Sequence, residues 1–193
     1  MPALRKQHHS KKEYFDLLSD TDQRLEYHEG EIFNMAGGSV DHSIIIKNVL
    51  VYTENQLEDS SCTPYGSELG IKISDARYVY PDLSFVCGEP EDEDRRFLLN
   101  PVLVVEVLSP GTSRYDRDAK FLYYQSVLSV QAYLLIDSVS YTAILHTRSA
   151  NSAWRTLVLL GLDKIVPLEC IGLELPLAQV YRNTRYIGEE TER

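Results

Sequence analysis

A hydrophobic run from Pro101 to Pro110 carries a single charged residue, Glu106. Its length and its valine and leucine content predict a β-strand buried on both faces, which ends at Ser109-Pro110-Gly111. Alternation along this strand puts Val104, Glu106 and Leu108 on one face. Because burying an unpaired carboxylate is unfavourable, Glu106 needs a metal ion, a cationic partner or a water-filled cleft beside it.

A second carboxylate, Asp82, lies in another apolar stretch upstream. We predict that Tyr78 to Cys87 form one strand containing Asp82. Pro81 has no N–H to donate to a neighbouring strand, so we expect an edge, a bulge or a bend there that turns Asp82 inward. Two carboxylates on neighbouring core strands predict a functional site.

Two local signals define the N-terminal elements. Ser10 is a suitable N-cap for a helix that continues to Leu18. Residues 24–34 predict a β-hairpin that turns at Glu29-Gly30, because glycine accepts the positive φ of a tight turn. The predicted register is given by three pairs, His28 with Glu31, Tyr27 with Ile32, and Glu26 with Phe33.

A long helix is predicted from Ser39 to the region of Leu57, with apolar residues at helical spacing. His42 lies one turn before Ile46, so we expect its side chain near the helix N-terminus, facing core strands rather than water. A further helix is predicted from Tyr115 to Val127, with Ser113 as its N-cap. Its residues Asp116, Lys120 and Tyr124 share one side because they are four positions apart.

The remaining segments favour an α/β fold with a mixed central sheet flanked by helices. Further strands are predicted at 61–66, 68–73, 131–137, 141–146 and 154–160, the last two as an outer antiparallel pair. The acidic loop after Cys87 is expected to be solvated. Pro167 to Tyr181 is expected to be irregular, with a short helix at Leu177.

Length and composition favour one soluble domain spanning residues 1–193, with a flexible N-terminal tail at 1–10 and an acidic C-terminal tail at 186–193. No apolar run approaches the length of a membrane span and no secretory signal is evident, so we expect a cytoplasmic protein. The three cysteines are far apart and are predicted to be reduced. The formal net charge of -10 counts against binding nucleic acid through general electrostatics.

The paired carboxylates point to a hard divalent cation, which takes oxygen ligands from carboxylates, backbone carbonyls and water. Such an ion lowers the pKa of a bound water and neutralises charge on a phosphoryl oxygen. The structural alternatives are a salt bridge from Glu106 to an arginine such as Arg77, a turn-forming role for Asp82, and a solvated Lys120–Asp116 pair. For His42 the alternative is a core histidine.

The chain resembles the Uma-type restriction endonuclease family of the PD-(D/E)XK nuclease superfamily. The resemblance covers Glu13 to Tyr181, with the motifs in order. They are Leu25-Glu-Tyr-His-Glu-Gly-Glu-Ile32, Ser39-x-x-His42, Tyr80-Pro-Asp82, Val104-Val-Glu-Val-Leu-Ser-Pro110, Tyr115-Asp116-x3-Lys120 and Tyr133-Leu-Leu-Ile-Asp137.

This resemblance implies that Asp82 and Glu106 bind Mg²⁺ or Mn²⁺ and that DNA phosphodiester bonds are hydrolysed by in-line attack of water. The superfamily places a lysine two residues after the second carboxylate, where this chain has Leu108. The family pattern transfers that role to Lys120 in the following helix, held in place by Asp116. Glu26 and His42 would complete the pocket. A two-fold dimer would be the simplest arrangement for cutting both strands.

Two other functions are compatible with the same residues. A non-catalytic nucleic-acid-binding or interaction module is suggested by Leu108 and by the acidic net charge. A phosphoesterase acting on small substrates is also compatible, because an acidic surface would not hinder it. Neither the target sequence nor a preference between DNA and RNA follows from the sequence.

Overall fold

The structure of the protein is a computed structural model that describes residues 8–21, 23–35, 38–109 and 115–185. Its α-helices are α1 (Lys11–Ser19), α2 (Val40–Gln56), α3 (Phe121–Ser126) and α4 (Leu177–Val180). Its strands are β1 (Leu25–His28), β2 (Glu31–Asn34), β3 (Cys62–Gly66), β4 (Gly70–Ser74), β5 (Arg77–Val79), β6 (Leu83–Cys87), β7 (Asp92–Glu93), β8 (Phe97–Leu98), β9 (Leu103–Leu108), β10 (Ala132–Asp137), β11 (Thr142–Arg148), β12 (Trp154–Leu160), β13 (Ile165–Leu168) and β14 (Leu173–Pro176). A 3₁₀ turn covers Glu169–Ile171.

The strands form two large sheets and a separate β13–β14 hairpin. The main sheet has six strands in the order β12-β11-β10-β9-β6-β3, and the second sheet has six in the order β2-β1-β5-β4-β8-β7. Both are mixed, because β9 runs parallel to β10 and β4 runs parallel to β8. The predicted mixed α/β fold is therefore confirmed, but the strands divide between two sheets instead of forming one.

Strand β9 lies at the centre of the main sheet, and all of its residues are buried. Its two faces enter different cores, as alternation predicts. Leu103, Val105 and Val107 pack with α2, α4 and the β13–β14 hairpin. Val104 and Leu108 pack with α3 and with strands of the second sheet. The face that carries Glu106 therefore lies between the two sheets.

The N-terminal elements form as predicted. Ser10 caps α1, and its reciprocal hydrogen bonds with Glu13 complete a capping box. The β1–β2 hairpin has the predicted pairing and turns at Glu29 and Gly30, which both have positive φ. Within the segment expected to be a tail, the structure describes residues 8–10, and there the backbone N–H of His9 donates to Gly30 O at 2.8 Å. Residues 1–7 and 186–193 lie outside the described residues.

The single strand predicted from Tyr78 to Cys87 is wrong. The chain forms β5 in the second sheet, breaks at residues 80–82 and continues as β6 in the main sheet. Pro81 explains the break, because it cannot donate a ladder hydrogen bond. The predicted bend is confirmed, and it places Asp82 where the chain crosses from one sheet to the other.

The prediction for residues 167–181 is half right. The short helix at Leu177 is present as α4, but the segment before it is not irregular. Strands β13 and β14 pair antiparallel with Val166 opposite Leu175, and both side chains are buried. The turn residues and Pro167 led to the prediction of irregular structure where this hairpin forms.

The prediction that all three cysteines are reduced is also wrong. Cys62 and Cys87 form a disulfide between β3 and β6, where they are direct cross-strand partners. Their separation of 25 residues gives no sign of this contact, because it depends on the pairing of two non-consecutive strands. Cys170 is free.

The helix predicted from Tyr115 to Val127 begins in a different form. Residues Asp116–Lys120 make a π-helical turn, followed by α3, with Val127 as the C-cap. The predicted N-cap Ser113 lies outside the described residues. π-Helical turns often occur at functional sites.

Among the described residues, none of the helices combines the length and apolar character that a bilayer span requires.

Candidate active site

The structure brings Asp82 and Glu106 together as neighbours on two paired strands. In the antiparallel pair of β6 and β9, Leu83 stands opposite Val105, so Asp82 stands beside Glu106. Asp82 Oδ2 accepts a hydrogen bond from the Val107 backbone N–H at 2.7 Å, which fixes the carboxylate against β9. The two acidic side chains therefore lie side by side at one end of the β6–β9 strand pair.

Glu106 is only 4% exposed, and its partner is a lysine rather than an arginine. Lys120 Nζ lies 2.8 Å from Glu106 Oε1, and the Tyr124 hydroxyl donates to the same oxygen at 3.2 Å. Arg77 instead pairs with Glu29, so the alternative of an Arg77–Glu106 salt bridge is wrong. Burial raises the pKa of Glu106 well above its usual range. The Lys120 ammonium acts to lower this pKa, and the Asp82 and Asp116 charges act with burial to raise it.

Lys120 is buried among three carboxylates. Besides Glu106, its Nζ lies 3.3 Å from Glu26 Oε1 and 3.5 Å from Asp116 Oδ1. Because both Lys120 and Asp116 are buried, the alternative of a solvated pair on a helix surface is wrong. Burial acts to lower the pKa of Lys120, but the surrounding carboxylates raise it well above its usual range. The ammonium therefore stays protonated.

Glu26, on β1, connects Lys120 to two further groups. Its Oε1 accepts from the Tyr80 backbone N–H at 3.0 Å, and its Oε2 lies 3.0 Å from His28 Nε2 and 3.2 Å from the Tyr115 hydroxyl. Burial acts to raise the pKa of this carboxyl, but Lys120 and His28 lower it to about 2. Glu26 is therefore an ionised anchor for the lysine.

His42 lies in the first turn of α2 and contacts Asp82. Its Nε2 is 3.3 Å from Asp82 Oδ2, and its side chain is 15% exposed. Burial acts to lower the pKa of the imidazole, but the neighbouring Asp82 carboxylate raises it. The expected inward orientation towards strand residues is observed, although the ring also lines a cavity rather than lying wholly in the core.

All five residues singled out in the sequence line one cavity of 800 Å³ between the β1–β2 hairpin, α2 and the end of β9. The same cavity is lined by Asp116. Three carboxylates therefore contact one lysine. The nearby Asp82 and Asp116 charges make the ionisation of Glu106 harder. The cavity is a place where a further cation would be stabilised.

Sequence reasoning assigned no role to three residues that complete this cluster. Tyr124 contacts Glu106, and Tyr115 contacts both Glu26 and His28, with its hydroxyl 3.0 Å from His28 Nε2. Helical spacing from Lys120 does identify Tyr124, and the alternation of β1 puts His28 on the face of Glu26. Neither signal reveals the hydrogen bonds, because they depend on how the two sheets pack.

The donor set suits a small hard cation. Asp82 and Glu106 supply carboxylate oxygens, which Mg²⁺ and Mn²⁺ prefer, and both line an open cavity. Within the described ranges, no group of three or more His, Cys, Asp or Glu side chains converges into a preformed cage. Mg²⁺ commonly binds through one or two carboxylates and keeps several waters or substrate oxygens, so the residues present fit such an ion.

The fold and the carboxylate–lysine cluster define a nuclease-like α/β protein. Residues 12–178 match the model of the Uma2 family, described as "Putative restriction endonuclease". Because the match covers most of the chain, the protein belongs to the Uma2 family.

Two relatives from Synechocystis sp. (strain ATCC 27184 / PCC 6803 / Kazusa) match most of the chain. "Uncharacterized protein slr1290" is 33% identical over 178 residues, covering 92% of this chain and 93% of the relative. "Uncharacterized protein sll1609" is 28% identical over 152 residues, covering 77% and 86%. The crystal structure of "a putative nuclease belonging to DUF820" from Anabaena variabilis ATCC 29413 has a TM-score of 0.74 at 22% identity, covering 89% of this chain and 97% of its own. That structure shows the same fold.

Proposed function

We propose that the protein is a metal-dependent endonuclease that hydrolyses phosphodiester bonds in DNA. The observation that carries this proposal is the convergence of Asp82, Glu106 and Lys120 in one cavity, with Lys120 Nζ 2.8 Å from Glu106. These residues match the two carboxylates and one amine of the superfamily. The difference is that the amine here comes from a helix rather than from the strand of the second carboxylate. Membership of the Uma2 family supports the same reaction class.

Asp82 and Glu106 are the residues that would hold Mg²⁺ or Mn²⁺. When bound, the ion supplies charge neutralisation at the scissile phosphate and lowers the pKa of a coordinated water. The Val107 N–H and the His42 imidazole both contact Asp82 Oδ2, so they fix the orientation of this carboxylate. His42 is in this view a positioning residue for Asp82.

Lys120 orients the attacking water. Its ammonium has three protons but four acceptors around it, and the two most distant are Asp116 Oδ1 and Tyr80 O, both at 3.5 Å. A water oxygen can replace either of these weak contacts while Glu106 and Glu26 keep the ammonium in place. The water then adds to phosphorus and the bond to the leaving sugar oxygen breaks. The attacking water loses one proton to solvent, and the leaving oxygen takes up one proton from solvent to become a hydroxyl.

The test is cleavage of negatively supercoiled plasmid by the full-length protein with Mg²⁺ or Mn²⁺. We expect wild-type protein to nick the plasmid and Asp82→Ala protein, purified identically, to leave it intact. Equal nicking by both proteins would assign the activity to a contaminant and overturn the proposal.

A non-catalytic nucleic-acid-binding or interaction module is the second candidate. It is favoured by Leu108, which is 2% exposed where the superfamily has its lysine, and by the Lys120 and Tyr124 contacts that already engage Glu106 Oε1. Tight DNA binding in the presence of a chelator, without cleavage of any polynucleotide at any divalent metal, would select this function.

A further inference from the structure

The cavity that contains the carboxylates also has an aromatic side. Phe33 lines it from β2, together with Tyr115 and Tyr123. Phe33 is 44% exposed, whereas the aromatic side chains of the nearby α1 core, such as Tyr14 and Tyr78, are fully buried. The ring of His28 contacts that of Phe33 edge-on, with centroids 5.2 Å apart and an interplanar angle of 72°. Phe33 is therefore an aromatic ring in the cavity lining whose surface is open to a ligand.

The hairpin register places this ring next to the reacting groups. Phe33 is the direct cross-strand partner of Glu26, so their side chains leave the same face of the hairpin. Glu26 Oε1 in turn lies 3.3 Å from Lys120 Nζ. A flat ligand on Phe33 would therefore lie next to Glu26, which belongs to the same cluster as Lys120 and Glu106.

The charges around the cavity disfavour a duplex held by its phosphates. Among the described lining residues, only Arg24 and Lys120 carry a permanent positive charge, and Lys120 is enclosed by carboxylates. The whole chain carries a net charge of -10. Duplex binding depends on many phosphate contacts to Lys and Arg, so binding here must draw on another interaction. Stacking of an unpaired base on an aromatic ring adds affinity beyond any phosphate contacts.

The size of the cavity agrees with the binding of an unpaired base. At 800 Å³ the cavity is in the range that encloses a small organic ligand. A base within a stacked duplex cannot enter such a pocket unless it is flipped out.

Building on the proposed nuclease function, we propose that the cavity binds an unpaired nucleotide whose base stacks on Phe33, so that the substrate is single-stranded or locally unpaired nucleic acid. Arg24, at the same cavity, is placed to contact an adjacent phosphate. The partly unwound regions of a negatively supercoiled plasmid would provide such a substrate. The aromatic ring contributes affinity and register, while the carboxylates act on the backbone.

The test measures binding without catalysis. Full-length protein in EDTA is titrated into a 2-aminopurine-labelled oligonucleotide that is presented as single-stranded DNA, single-stranded RNA or blunt duplex DNA. We expect binding of a single strand with quenching of the 2-aminopurine, and weaker binding of the duplex. Tighter binding of one single strand would identify DNA or RNA as the preferred substrate. Equal binding of both would support recognition through base stacking, which DNA and RNA share.

Variants at one position separate stacking from general hydrophobic contact. Phe33→Leu keeps apolar volume but lacks a ring face, and we expect it to weaken binding by roughly ten- to a hundredfold and to abolish the quenching. Phe33→Trp should retain both. Leu122→Ala, which removes a 64% exposed side chain outside the cavity lining, should bind like wild type.

Two results would overturn the subsite: wild-type protein that binds no single strand, or Phe33→Leu protein that binds and quenches like wild type. Failure of the nuclease function gives a different pattern. In that case single-strand binding and its dependence on Phe33 persist, but no divalent metal produces cleavage by wild-type protein. Conversely, metal-dependent cleavage that is lost in Asp82→Ala but indifferent to Phe33→Leu would leave the nuclease intact without the subsite.

Discussion

The protein contains two lysine–carboxylate clusters whose charge balance differs. In the surface cluster, Lys11 and Lys72 share Asp75 and Glu93, with Lys11–Glu93 at 2.8 Å and Lys72–Asp75 at 2.9 Å. In the buried cluster, Lys120 pairs with Glu106, Glu26 and Asp116. Among the described residues, the surface cluster matches two lysines with two carboxylates, whereas the buried cluster sets one lysine against three carboxylates.

This difference shows in the acidity of the two central carboxyl groups. Slight burial acts to raise the pKa of Glu93, but hydrogen bonds from Lys11 and Lys72 lower it. Burial raises the pKa of Glu106, and the Asp82 and Asp116 charges raise it further against the single lysine. A balanced cluster at the surface joins elements of the fold. The carboxylate-rich cluster in the cavity is the one proposed to hold a metal ion.

The largest contrast is expected from removing one charge in each cluster. Even outer-shell partners of a bound metal contribute roughly 10- to 100-fold to activity, so Glu106→Gln should slow plasmid nicking by more than about a hundredfold. Glu93→Gln should nick at the wild-type rate, because Glu93 lies in the surface cluster. Rates from gel densitometry decide this, and equal rates for both variants would remove Glu106 from the site.

The lysines should differ in stability. Lys120→Met leaves three buried carboxylates without their cation, and breaking a buried ion pair on one side costs about 3–5 kcal/mol. Lys72→Met removes a partly exposed cation, for which the loss should be below about 1 kcal/mol. The free energy of unfolding in urea measures both. A Lys72→Met variant destabilised as much as Lys120→Met would contradict the comparison.

A third difference is acid sensitivity. The pKa of Glu26 falls from 4.5 to about 2 on folding, so its stabilisation is complete above pH 4.5 and is lost as pH falls towards 2. The advantage of wild type over Glu26→Gln in unfolding free energy should shrink by about 3 kcal/mol between pH 6 and pH 2. Glu68→Gln, at an exposed turn position, serves as the control. An advantage that does not change with pH would mean that Glu26 is not held ionised.

The smallest effect concerns the hydroxyl that donates to Glu106. Tyr124→Phe removes a buried hydroxyl that donates to Glu106. Tyr181→Phe removes a buried hydroxyl that contacts Asp137 O, Thr142 O and the Thr142 N–H. Losing one such hydrogen bond costs about 1–2 kcal/mol. Only Tyr124 touches the site, so only Tyr124→Phe should also slow nicking, by several-fold. Thermal unfolding together with nicking rates separates the two. Equal nicking by both variants would show that Tyr124 is structural.

Local features of the fold were predictable because they depend on short-range chemistry. The turn at Glu29-Gly30 sets the hairpin register, and Ser10 and Ser39 cap the helices that follow them. The burial of β9 follows from its apolar run. The helical spacing of Asp116, Lys120 and Tyr124 also identified the side of the helix that meets Glu106.

Features that depend on non-local pairing were not predictable. The division into two sheets follows from the break at Pro81, and the same topology brings Cys62 opposite Cys87. Glu93 is a further example. It lies in a loop expected to be solvated, yet it pairs with Lys11, 82 residues away. The spacing of residues along the sequence does not predict such contacts.

Asp82 and Glu106 are proposed to hold a divalent cation together. Titration of Mn²⁺ into the full-length protein by isothermal calorimetry tests it directly, with Asp82→Asn, Glu106→Gln and, as a surface control, Asp75→Asn. We predict one site per chain in wild type and Asp75→Asn, and loss of that site in the other two variants. No Mn²⁺ binding by wild type, or binding that survives both site substitutions, would contradict the account.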